Sequence, residues 1–150
     1  MSINIVNEIL DDLFVVLPTL NKKVFKSTEK ILKERGMSLS HLRVMFILKK
    51  RGIITSTEIG KKLEVSKPNV TVLVDKLVEM NLIERSSGKD RRSISLSLTS
   101  EGVGFLQEYM DEVKTSFGDK LSNFSEEDFL MLRDAVINLK KIMDKIEEEK

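Results

Sequence analysis

The stretch from Ser66 to Gly102, SKPNVTVLVDKLVEMNLIERSSGKDRRSISLSLTSEG, decides the fold. Its first part carries Val70, Leu73, Val74, Leu77 and Val78 at the i, i+3, i+4, i+7, i+8 spacing that lays one apolar stripe along an α-helix. Ser66 is placed as the N-cap, and Pro68 is tolerated in the first turn because no backbone donor is needed there. Lys67, Asn69, Thr71, Val72, Asp75 and Lys76 are left largely on the exposed side. Downstream, LIER and SISLSL alternate apolar and polar residues, as short strands with one covered face do. Ser86, Ser87, Gly88, Lys89 and Asp90 supply the turn between them, and Thr99 caps the next helix. A helix, two strands around a basic turn and a further helix start are the order of a winged helix.

The flanking residues extend this reading. Thr55 and Glu58 have the spacing of a capping box and open the short helix TEIGKKL, with Ile59 and Leu63 facing the core. Glu64 and Val65 then form a tight turn, so this helix and the next make a helix-turn-helix. Ser38 caps a helix that carries Leu42, Met45, Phe46 and Leu48 and ends near Gly52. Before it, Ile9, Leu13, Leu17, Leu20, Val24 and Ile31 predict one long helix reaching about Gly36, kinked or restarted at Pro18. A helix from Thr99 runs to roughly Asp119, and Ser125 caps a last one, with Glu126, Glu127 and Asp128 where the macrodipole favours acids. In that helix Phe129, Leu132, Val136, Leu139, Met143 and Ile146 step by three and four, the spacing of a coiled-coil seam. Such a stripe needs a covering surface. The first helix of the same chain would serve, but apolar helices at both chain ends favour a two-fold dimer. The expected architecture is one mainly α domain with a small β-wing: residues 38–99 form the winged helix-turn-helix, and 1–36 and 100–150 the dimerisation helices.

Composition narrows the function. A chain of 150 residues, 41% hydrophobic, is long enough for one core. Without cysteine it has neither disulfides nor thiolate metal sites, which fits a reducing cytoplasm. The segment MSINIVNEILDDLFVVLP has no basic n-region and is broken by acids and by Pro18, so a soluble cytoplasmic protein is expected rather than a signal peptide or span. The net charge of +1 hides an uneven distribution. Residues 1–37 hold 6 basic and 5 acidic side chains, residues 38–99 hold 12 and 6, and residues 100–150 hold 7 and 13. A solvated surface gives some asymmetry by chance, yet the basic excess coincides with the winged module, which points to nucleic acid. An enzyme is the weakest class: there is one histidine, no cysteine and no phosphate-cradling glycine motif, and no metal or cofactor is expected. The sole histidine, His41, reads as a capping or packing residue.

For DNA, the recognition-helix candidates are Ser66, Lys67, Asn69, Thr71, Val72 and Lys76. Amides read base edges, hydroxyls and ammoniums serve bases or phosphates, and Val72 can meet a thymine methyl. In an arbitrary helix these would be ordinary solvated positions; after a helix-turn-helix turn they are contacts. In the wing, Lys89, Arg91 and Arg92 surround Asp90. Charged turns usually only solubilise, but three bases within four positions of a wing favour DNA. One arginine would enter or flank the minor groove while the other pairs with Asp90 or Asp75 to brace the turn. Asp75, an acid beside phosphates, is assigned to orienting a basic side chain or holding the wing. A winged helix kept as a protein-interaction module is the alternative, and it needs no basic wing.

These residues resemble the multiple-antibiotic-resistance regulator (MarR) family over nearly the whole chain. SKPNVTVLVDKLVEMNLIER is similar to the family's recognition helix and first wing strand, and KDRRS followed by SLSLTSEG to its wing, second strand and next helix. Asp90, Arg92 and Ser93 match the family's Asp-x-Arg-Ser/Ala pattern, and the resemblance makes Arg92 the brace. Val72 departs from it, standing where many relatives carry arginine. The resemblance implies a homodimer clasped by its terminal helices, binding palindromic operators and usually repressing genes until a small effector, often an aromatic carboxylate or phenolic, weakens the grip. Seven methionines and seven phenylalanines suit an adaptable cleft for such a molecule between the dimer helices and the winged module.

Overall fold

The computed structural model describes residues 3–88, 90 and 92–148, excluding the side chains of Glu147 and Glu148. The chain divides into two compact units, Met1–Lys114 and Thr115–Lys150. The first opens with helix α1 (Ile3–Leu20), a π-helical turn (Asn21–Phe25) and α2 (Lys26–Glu34). One long helix is expected here, and the difference has a local cause. Pro18 sits inside α1 and cannot donate to the carbonyl four residues back, so the ladder is already weakened where the wider π register begins. Thr19 donates its hydroxyl to the Val15 carbonyl at 2.9 Å, and the buried Thr28 donates to the Phe25 carbonyl at 2.7 Å, so polar side chains serve carbonyls on either side of that turn.

The winged module follows: α3 (Leu39–Arg51), β1 (Ile54–Thr55), α4 (Ser56–Leu63), α5 (Lys67–Glu79), β2 (Ile83–Ser87) and β3 (Ile94–Leu98). The two expected wing strands pair antiparallel, with Ile83 opposite Leu98 and Ser87 opposite Ile94. A third strand, absent from the sequence reading, joins them: β1 pairs antiparallel with β3 through Ile54–Leu96 and Thr55–Ser95, giving the order β1-β3-β2. Two residues are too few for alternation to show, and Thr55 doubles as the cap of α4.

The core gathers one face of each element. Met45 and Leu48 of α3, Ile59 of α4, Val70, Val74 and Leu77 of α5, and Ile83 and Leu96 of the sheet are all almost fully buried. Each such side chain contributes roughly 1.5–3 kcal/mol when removed from water. Leu32 of α2 and Leu106 and Tyr109 of α6 (Ser100–Lys120) complete the cluster. The start of α6 is pinned at one place: Thr99 donates its hydroxyl to the Asn81 carbonyl at 2.7 Å and accepts from the Gly102 N–H at 2.9 Å. Gly102 lies so close to the chain before β2 that a Cβ there would overlap the Leu82 carbonyl oxygen.

In the second unit α6 ends and α7 (Glu126–Glu148) begins. Ser125 and Asp128 form a reciprocal cap, with Asp128 N–H donating to Ser125 Oγ at 3.1 Å and Ser125 N–H to Asp128 Oδ2 at 2.9 Å. The Phe124 and Phe129 rings pack with centroids 5.8 Å apart. Of the seam residues in α7, Phe129, Val136, Leu139, Met143 and Ile146 are exposed and Leu132 is half-buried.

Gly102→Ala is therefore expected to lower unfolding free energy by about 1–3 kcal/mol, because backbone rather than a flexible side chain must move. Gly104→Ala, with nothing within 4 Å of the added Cβ, should be neutral or stabilising. Urea titration of both variants checks this, and equal effects would contradict it.

Candidate nucleic-acid interface

The interface is set by how α4 hands the chain to α5. Thr55 N–H donates to Glu58 Oε2 at 2.8 Å and Glu58 N–H donates back to Thr55 Oγ1 at 3.2 Å, closing the expected capping box. The Thr55 backbone and hydroxyl bonds hold the Glu58 carboxyl below the usual carboxylate range. Glu64 adopts left-handed backbone (φ 54°, ψ 42°) and Val65 N–H bonds the Gly60 carbonyl at 3.1 Å, so the chain reverses within one turn. A Cβ at Gly60 would come within 3.1 Å of Val70 Cγ2, which shows how closely the two helices approach. Ser66 stands at the N-cap position in extended backbone, but its hydroxyl makes no capping bond; the Val70 N–H is taken by the Ser66 carbonyl at 3.0 Å instead.

Burial of Val70, Val74 and Leu77 turns the opposite face of α5 outward. Lys67, Asn69, Thr71, Val72 and Asp75 are exposed on it, and Lys76 is half-buried at its edge. Thr71 donates its hydroxyl to the Lys67 carbonyl at 3.1 Å, so it presents oxygen lone pairs and a methyl group outward. Lys76 Nζ lies 3.8 Å from Glu79. Val72, 67% exposed, is the apolar side chain projecting from this face.

The wing is tied to that helix by an ion pair between Arg85 of β2 and Asp75 of α5. Asp75 was assigned to holding the wing, but its partner is not one of the turn arginines. Arg85 is reached because it lies opposite Leu96 in the ladder and so on the sheet face turned towards α5. The sequence reading treated it only as a polar position of LIER; its two-residue offset from the buried Ile83 is the signal that places it on that face. At the wing tip Asp90 organises the turn: its carbonyl accepts from Ser93 N–H at 2.9 Å and Ser93 Oγ at 3.0 Å, and its Oδ1 accepts from Arg92 N–H at 3.3 Å. Arg92 thus joins Asp90 through its backbone. Lys89 and Arg91 lie outside the described residues.

A groove of about 380 Å³ runs between α4 and α5, floored by Val65 and Val70 and edged by Ser56, Thr57, Lys61 and Lys67. Ser56, Thr57 and Lys61 were not singled out by sequence. They follow a cap on the helix before the recognition helix, and only the turn at Glu64 sets them beside Lys67. Among the described residues, no group of three or more acidic or histidine side chains is placed to hold a metal, and no helix is long and apolar enough to cross a membrane.

Comparison with known proteins decides what this surface belongs to. Residues 37–94 match the MarR family model. The HTH-type transcriptional repressor MdtR of Bacillus subtilis is 33% identical over 125 residues, 83% of this chain and 81% of that protein. The chain belongs to the MarR family. It is, with its relatives, a DNA-binding transcriptional regulator and not an enzyme. Two solved members share the fold. A mutant MarR from E. coli, complexed with operator DNA, superposes with a TM-score of 0.67 at 21% identity, covering 89% of this chain and 96% of that one. NadR, in complex with 4-hydroxyphenylacetate, superposes with a TM-score of 0.64 at 22% identity, covering 85% and 92%.

Asp75→Ala and Arg85→Ala should each change unfolding free energy by less than about 1 kcal/mol, since the pair is solvent-exposed. Both should nevertheless loosen the wing. Backbone order parameters of β2 and β3 from NMR relaxation are expected to fall equally in either variant and in the double variant; values unchanged from the parent protein would remove the brace.

Proposed function

We propose that this MarR-family regulator works as a homodimer that reads a palindromic operator and represses transcription until a small apolar or aromatic molecule is bound. The observation that carries the DNA mode is the α5 face itself: polar and basic residues outward, an apolar stripe behind, and a wing fastened alongside by Asp75 and Arg85. Asn69 and Thr71 read base edges, Val72 packs on a thymine methyl, and Ser66, Lys67 and Lys76 serve bases or phosphates at the groove edge. Lys89, Arg91 and Arg92 bring the wing to the neighbouring backbone and minor groove. Ser56, Thr57 and Lys61 flank a phosphate on the other side of Lys67.

Dimerisation is supported by surface that one chain leaves uncovered. No described residue of α1 is buried, and Ile9, Leu13, Leu17 and Leu20 are exposed along it, as are Val136, Leu139 and Met143 along α7. Apolar stripes of this length on a monomer would invite association. A two-fold dimer sets two copies of α5 about one helical turn apart, roughly 10 to 10.5 base pairs. An effector would act by favouring a dimer of the wrong spacing, as differential affinity for two states requires. The NadR complex is the likeness that supports an aromatic acid in that role.

Selection from a random duplex pool, followed by titration of the winner and a scrambled control at 50 and 200 mM salt, tests the reading. A palindromic winner, bound far above control and losing on the order of 10³ to 10⁵ in affinity across that range, is expected if about 6–10 phosphates are neutralised. Lys76→Ala with Arg91→Ala should weaken binding and flatten the salt slope. Equal, weak binding of both duplexes would favour a protein-interaction module instead. For the dimer, Leu13→Glu with Val136→Glu should give a monomer in sedimentation velocity with far-UV helicity retained; an unchanged dimer would refute the assigned interface.

A further inference from the structure

His41 stands in the first turn of α3, where a capping box ordinarily carries Glu or Gln. Its Nδ1 accepts from the Ser38 backbone N–H at 3.0 Å and lies 2.8 Å from Ser38 Oγ. A backbone N–H can only donate, so Nδ1 is the acceptor and the neutral ring carries its hydrogen on Nε2. The elements packed on α3 are α4, α5 and β3. Strand β3 has no ionisable residue, and Glu58 of α4 is held by Thr55 and lies in the field of Arg51, at the other end of α3. The charge that faces His41 is Lys76 of α5, itself paired with Glu79, while the first turn of α3 carries no acid. A donor ring and an ammonium thus converge beside the recognition helix with no carboxylate of the first turn between them.

We propose that His41 is a DNA-phosphate ligand, its Nε2–H and the Lys76 ammonium closing on one backbone phosphate at the edge of the recognition helix. This rests on the DNA-binding reading above and adds a proton to it. Burial, and then the Lys76 charge, hold the free imidazole below its ordinary pKa, so the free protein carries it neutral near pH 7. A phosphate offsets the Lys76 field and favours the imidazolium. The incoming proton goes to Nδ1, and the Ser38 hydroxyl turns from donor to acceptor across the same 2.8 Å contact. Operator binding therefore takes up a proton at His41, and by linkage affinity rises as pH falls. Without DNA the sign is opposite. A histidine whose folded pKa is lowered contributes stability above about pH 6.5 that is lost as pH falls through its folded value.

The chain has one histidine and no cysteine, so no other side chain of ordinary pKa titrates between about pH 5.5 and 8. His41→Gln keeps a capping side chain and removes the proton site. On the duplex recovered by selection, at fixed ionic strength, the parent protein is expected to bind about three- to tenfold more tightly per chain at pH 6 than at pH 8. His41→Gln should show no such gain. The single imidazole Hε1 resonance should titrate at a higher midpoint with duplex bound. Identical pH profiles in the two proteins, or an unmoved midpoint with duplex bound, would overturn the assignment while leaving DNA binding intact. Binding of no duplex by either protein at any pH would instead defeat the DNA reading on which it rests.

Discussion

Burial of one stripe of α5 is the constraint on which the rest depends. Val70, Val74 and Leu77 are sealed against Met45, Leu48, Ile59 and Leu96, and this fixes the rotation of the helix about its own axis. Once that rotation is fixed, Asn69, Thr71 and Val72 can point only outward, and Asp75 falls on the side of the sheet. The same stripe sets the turn with α4, because Gly60 and Val70 must approach within van der Waals distance. A helix held less firmly would present the same residues in several registers and read no sequence. Here the apolar side of the molecule supplies the geometry and the polar side the chemistry.

Polar contacts then tune what packing has placed. The Asp75–Arg85 pair contributes little to stability at its exposure, but it makes wing and helix move together. Asp90 and Ser93 fold the wing tip through three contacts, so the family's acidic-basic-hydroxyl pattern has a local structural reason before any DNA is considered. Thr99 and Gly102 fasten the start of α6 to the chain entering β2, which ties the helix leaving the winged module to the strand that carries Arg85.

What could be read from the sequence was governed by period and spacing. The apolar stripe of α5, the alternating strands, and the caps at Ser38, Thr55, Thr99 and Ser125 each depend on a few neighbouring residues, and each element appears where those residues put it. Features depending on distant residues were not legible. Strand β1 exists only because Ile54 finds Leu96, the π turn because the ladder after Pro18 widens, and the Arg85 brace because two strands pair in one register. The groove residues Ser56, Thr57 and Lys61 belong to the same class, since a turn and not a motif sets them beside Lys67. The recognition-helix candidates were visible because one local pattern, the buried stripe, also defines its opposite.

Family membership and surface chemistry thus converge on a regulator whose two recognition helices and wings grip one duplex. Hydroxyl-radical footprinting of the selected operator tests that account most directly. It predicts protections repeated about one helical turn, roughly 10 to 10.5 base pairs, apart and related by the operator's two-fold symmetry, with flanking minor-groove protection lost on Arg91→Ala. A single unpaired protection, or a footprint indifferent to the wing, would contradict it.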